Sequence, residues 1–202
     1  MRWRSVRRFL VLSSSGVTAL ALMFAVTLLA GATLAPKADR AISWQMPLVP
    51  EFSLTDQQGR VLSRHDLHGQ VWLAAFFFSR CSDNCPKMNA RLHQLQTALD
   101  PRVQLVSFTM DPAHDTPNAL AQFAAANQID SSRWHLLTGE RRIIEQVAAA
   151  IRPDALHQRP ENLTHSDQLI LIDRSSRLRG TYDSTSAADL DCLRKDAAAL
   201  LK

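Results

Sequence analysis

The 202-residue chain has no basic run after Arg8. Arg2, Arg4, Arg7 and Arg8 account for the whole formal charge of +4, and the remaining residues are neutral overall. A nucleic-acid-binding domain would need a concentrated basic face, so nucleic acid is excluded as a partner. Charge of either sign is missing from Phe9 to Ala35. The chain also has no internal repeat and no low-complexity segment, which excludes a tandem array. Disorder as the main state is excluded in turn, because 46% of the residues are hydrophobic and can build a core. Cysteine is scarce, at three residues, so each one carries weight.

The uncharged stretch has the length of a membrane-spanning helix, which needs roughly 20 mostly apolar residues. Arginines before it and Pro36, Lys37 and Asp39 after it place the N-terminus in the cytoplasm. Ser13 to Gly16 dilute its first third, and Ala30-Gly31-Ala32 resembles a signal cleavage site, so an anchor and a cleaved signal are both open. The expected organisation is a basic cytoplasmic terminus over 1–8 and an anchor or signal over 9–35. A proline-bearing linker over 36–50 and one folded domain over 51–202 follow. Either way the domain is exported into an oxidising space, where cysteines pair, bind metal or do redox work.

Periodicity then predicts the elements. Phe52-Ser53-Leu54 and Val61-Leu62 flank Asp56-Gln57-Gln58-Gly59, a hairpin signal. Val71 to Phe78 and Val103 to Phe108 read as strands buried on both faces. Met88, Leu92, Leu95 and Leu99 fall at helical spacing, with Pro86 in the first turn. Asp115-Thr116-Pro117 opens a helix through Leu120, Phe123 and Ala124 that ends near Asn127. Trp134 to Leu137 predicts a short strand, and Gly139 precedes a helix through Ile143, Ile144, Val147 and Ile151. Leu169–Ile172 and Leu178–Tyr182 bracket a turn, and Leu190, Leu193, Ala197 and Leu200 predict a closing helix. This order gives an α/β class with an early parallel crossover and late antiparallel strands. The predicted fold is thioredoxin-like with an N-terminal β-hairpin extension, preceded by one transmembrane helix.

Cys81 and Cys85 sit between the first buried strand and the helix after it, flanked by Arg80 and Lys87. A helix N-terminus favours thiolate over thiol, as do the two cations. Two convergent thiolates suit a soft ion, Cu(I) above all, and the pair can also close to a disulfide. A purely structural disulfide is the plainer reading, but so small a ring staples little chain. Two sulfurs leave a metal short of ligands, which turns attention to the histidines. His65, His68 and His93 read as solvated residues, His135 as a position within a short strand and His157 as part of a polar loop, none of them a ligand, and His114 lies in a compact turn. His165 is the candidate by position, just before the strand Leu169–Ile172. Cys192 falls off the apolar face of the last helix and reads as a partly exposed thiol with no metal role. Met88 and Met110 could offer thioethers, but Met88 lies on the apolar stripe.

Four blocks in order then carry a resemblance: Phe78-x-x-Cys81-x-x-x-Cys85-Pro86, Asp111-Pro112-x-x-Asp115-Thr116-Pro117, Trp134-x-Leu136-Leu137-Thr138-Gly139 and His165-Ser166. With Leu171-Ile172-Asp173 and Arg179-Gly180-x-Tyr182 behind them, the chain resembles the Sco/SenC family of copper-binding cytochrome c oxidase assembly proteins. The resemblance implies a thioredoxin-like domain on a single-pass anchor in a bacterial inner membrane, facing the periplasm. It implies copper held by Cys81, Cys85 and His165, and delivery to a cytochrome c oxidase copper-site subunit or another apo copper protein. A non-enzymatic chaperone is the expected role. A thiol–disulfide oxidoreductase, with Cys81 and Cys85 as its redox pair, is the alternative. The spacer Ser82-Asp83-Asn84 and Thr164 before His165 depart from the family's usual pattern, which bears on how the metal is tuned.

Overall fold

Asp56 builds the first turn. Its carboxyl accepts the backbone N–H groups of Gln58 (2.8 Å) and Arg60 (2.9 Å), while Gly59 takes a φ of 75° that glycine reaches without strain. The turn joins β1 (Ser53–Thr55) to β2 (Val61–Ser63) in an antiparallel hairpin, with Leu54 opposite Leu62. The computed structural model describes residues 47–80, 85–152 and 167–202, with backbone only for 85–89. The chain falls into two units, Met1–Ile42 and Ser43–Lys202, and every described residue lies in the second.

A five-stranded sheet follows. It is built from β3 (Val71–Phe77), β4 (Val103–Thr109), β5 (Trp134–Leu137), β6 (Gln168–Ile172) and β7 (Leu178–Asp183), in the order β5-β4-β3-β6-β7. The first three strands are parallel, and β6 and β7 run antiparallel. The helices are α1 (Cys85–Ala98), α2 (Pro117–Ala126), α3 (Arg141–Ile151) and α4 (Ala187–Leu200). Thr116 starts α2 by accepting the Ala119 N–H, and Asn127 closes it, as the sequence predicts.

Every residue of β3 is buried because both faces of the sheet are covered. Val71, Leu73, Ala75 and Phe77 pack with Leu92 and Leu95 of α1, Leu120 of α2 and Leu193 of α4. Trp72, Ala74 and Phe76 pack on the other side with Ile144 and Val147 of α3 and with Phe52 and Leu54 of the hairpin. Phe52 meets Phe108 edge-on at 5.4 Å, and Phe76 stacks on Phe108 at 5.5 Å. The hairpin is locked down by Gln57, whose side chain donates to the Trp134 carbonyl (2.7 Å) and accepts the Leu136 N–H (2.8 Å). Before the hairpin, the Val49 N–H donates to the Ser176 carbonyl (2.9 Å) and the Leu178 N–H to the Pro47 carbonyl (3.0 Å). The mixed α/β fold, with its hairpin ahead of the sheet, matches the expected class. No helix among the described residues is long and apolar enough to cross a membrane, and the predicted span over 9–35 lies outside them.

Candidate metal centre

Parallel strands put their carboxyl ends together, and this is where the sheet gathers its chemistry. Phe77 at the end of β3 pairs with Thr109 at the end of β4, and the Met110 N–H donates to the Phe77 carbonyl (2.8 Å). On its other side β3 pairs antiparallel with β6, Ala74 opposite Ile170. That register runs the start of β6, Gln168, back to the same sheet end. Cys81 follows Phe77 by four positions, and His165 precedes Gln168 by three. The chain segments bearing the predicted ligands therefore leave and reach the sheet at neighbouring points. Cys81 and His165 themselves lie outside the described residues, and Cys85 is described by its backbone, as the first residue of α1.

The described residues around these segments form a bonded frame. Asp115 is fully buried and accepts the Ser79 N–H (3.2 Å), the Ser79 hydroxyl and the Thr109 hydroxyl. Asp111 is half-buried in the same turn, where the Arg80 guanidinium (3.1 Å) and His114 Nδ1 (2.9 Å) meet its carboxyl. Burial works against ionisation of Asp111, but the hydrogen bonds from His114 and Arg80 outweigh it and hold the carboxyl below its usual range. The positive charge next to Cys81 is thus already balanced. Across the site, Arg91 of α1 pairs with Asp167 (3.2 Å), the residue before β6. The Ser184 N–H also donates to the Asp167 carbonyl (2.6 Å). The cysteine helix and the segment arriving from His165 are tied to each other.

The SCO1/SenC family model matches residues 41–198 of this chain. It belongs to the SCO1/SenC family. Among curated relatives, the SCO1 protein homolog of Bacillus subtilis is 30% identical over 154 residues, spanning 73% of this chain and 80% of the relative. Among solved structures, BsSco is described as a member of the Sco family of cytochrome c oxidase assembly proteins, with a disulfide switch. It is 29% identical with a TM-score of 0.69, covering 77% of this chain and 94% of that one. The copper-bound ScoI of Bradyrhizobium japonicum is 20% identical with a TM-score of 0.61, covering 76% of this chain and 99% of that one, a likeness of fold.

Within this Sco-family domain His135 lies in β5, the strand expected for it. His65, His68 and His114 are exposed, and His93 is half-buried. His135 is mostly buried: Asp56 lies 3.4 Å from its Nδ1, and burial lowers its pKa, partly offset by Asp56. His157 lies outside the described residues. Cys192 is a free, half-buried thiol packed against the core, and Met110 packs against the opposite core face. Sequence reasoning missed Asp115 as the buried hub. A signal was there: Thr109 is a hydroxyl at the end of a buried strand, and a buried hydroxyl needs a partner.

Proposed function

We propose that this chain is a membrane-anchored copper chaperone that binds one copper through Cys81, Cys85 and His165. It passes the copper to the apo copper site of a cytochrome c oxidase subunit or a related copper protein. The observation that supports this reading is the β3–β6 register, which sets the end of β3, four residues before Cys81, beside the start of β6, three residues after His165. The donor set fits the cargo: two thiolates suit Cu(I), and an added imidazole suits Cu(II). Family membership supports the same reading. Residues 1–8 lie on the cytoplasmic side, 9–35 form the single-pass anchor, 36–50 tether, and 51–202 form the periplasmic copper-binding domain of an inner-membrane protein.

Cys81 and Cys85 must both be reduced to accept copper, so the same pair cycles between dithiol and disulfide. Arg80 is held by Asp111, so its guanidinium does not oppose an incoming cation at full strength. The test is copper stoichiometry of reduced residues 36–202. One copper per chain is expected for the parent and none for a Cys81→Ala, Cys85→Ala double variant. His165→Ala should keep the dithiol chemistry and lose most Cu(II) binding, while Cu(I) binding weakens less. Full copper loading by the double variant would end the proposal.

A further inference from the structure

Asp115 is buried where three elements meet, yet every group that donates to its carboxyl among the described residues is uncharged. The nearby cation Arg80 goes to Asp111 instead. Asp115 also donates its own N–H to the Asp111 carbonyl (2.9 Å), and Thr116, the next residue, caps α2. The carboxyl is therefore fixed from behind by the turn and the helix. Two of its three bonds are made to Ser79, which stands two residues before Cys81. The other cysteine, Cys85, is the first residue of α1.

We propose that Asp115 is a positioning residue for the cysteine pair. By holding Ser79 through both its N–H and its hydroxyl, it fixes the segment that delivers Cys81. Freedom removed before the sulfurs converge need not be lost when they do. Asp115 thereby favours closure of the pair to a disulfide and raises its affinity for copper. The copper half rests on the function proposed above, and the disulfide half does not.

The experiment equilibrates the full chain with glutathione. The Cys81 and Cys85 thiols react with one oxidised glutathione to give the protein disulfide and two reduced glutathiones. Two protein S–H bonds and the glutathione S–S bond break, and one protein S–S bond and two glutathione S–H bonds form. Two electrons pass from protein to glutathione. Alkylation followed by peptide mass spectrometry separates this pair from Cys192. Ser79→Ala removes one bond to Asp115, and Asp115→Asn replaces an acceptor oxygen with a donor. Each should lower the equilibrium constant for closure by about tenfold, the scale of one hydrogen bond. Copper affinity should fall in proportion. Ile144→Val, in the opposite core face, should lower the melting midpoint and leave both quantities alone. If Ser79→Ala lowers only the melting midpoint, Asp115 is structural and the proposal is overturned. That variant decides the matter even where Asp115→Asn fails to fold. A parent chain that takes no copper would sink the chaperone reading, while the disulfide equilibrium still judges Asp115.

Discussion

Gly180 has no side chain because Tyr182 occupies the space. A Cβ at Gly180 would lie 2.5 Å from the Tyr182 Oη and 2.8 Å from its Cζ. The tyrosine cannot retreat: it is fully buried, and its hydroxyl donates to Asp196 (2.6 Å). Gly180→Ala should therefore cost about 1–3 kcal/mol of stability, the usual penalty for overpacking. Chemical denaturation of parent and variant measures it, and a change within 0.5 kcal/mol, roughly the spread of neutral surface changes, would contradict the steric account. The sequence displays Arg179-Gly180-x-Tyr182 as a motif but not the reason for it, which is a contact between residues on one strand face. Gln57 and Asp115 are illegible for a related cause. Each is a polar residue in a turn, where exposure is the ordinary outcome, and only the assembled fold shows that each turn is pressed against the sheet.

At the scale of elements the sequence is far more readable. An unbroken apolar run dictates β3, a mostly apolar, β-branched run dictates β4, and Thr116-Pro117 dictates the start of α2, because these signals act over a few residues. The sheet order is not local, and nothing in the runs says that β6 lies beside β3. That neighbouring matters for the candidate site, and one ion pair spans it. Arg91 of α1 and Asp167 before β6 are partly exposed, so their bond is screened and worth modest energy. A double-mutant cycle with Arg91→Ala and Asp167→Ala should give a coupling of about 0.5 kcal/mol in stability, shrinking as salt rises. Under the copper reading, breaking the pair should weaken Cu(II) more than Cu(I), since the bond ties the histidine-bearing segment to the cysteine helix. Equal losses for the two ions would mean that the pair does not act on the histidine arm.

Over the whole molecule, the hairpin and β5 are joined by polar groups shut inside the fold, and this makes stability depend on pH. His135 faces Asp56, and Asp56 is also bonded by the Arg60 guanidinium (2.9 and 3.0 Å). Burial, partly offset by Asp56, holds the His135 pKa below its ordinary value of 6.5. The unfolded chain, with an ordinary histidine, takes up a proton near pH 6.5 that the folded chain resists. Stability therefore falls as pH drops through 6.5, and levels off once the folded His135 also protonates. Asp56 acts in a lower window. Burial opposes its ionisation, but hydrogen bonds from Arg60 and Gln58 more than offset this and hold its pKa below 3.8. Its contribution is complete above pH 3.8 and is lost as pH falls through the folded value. Denaturation curves from pH 8 to 3 should thus show two separate declines. One proton can change stability by at most about 1.4 kcal/mol per pH unit, which bounds the slope that His135 contributes to the first decline. His135→Asn should flatten that first decline and keep the second. If the variant declines through pH 6.5 as steeply as the parent, the proton resisted by the fold is not the one on His135.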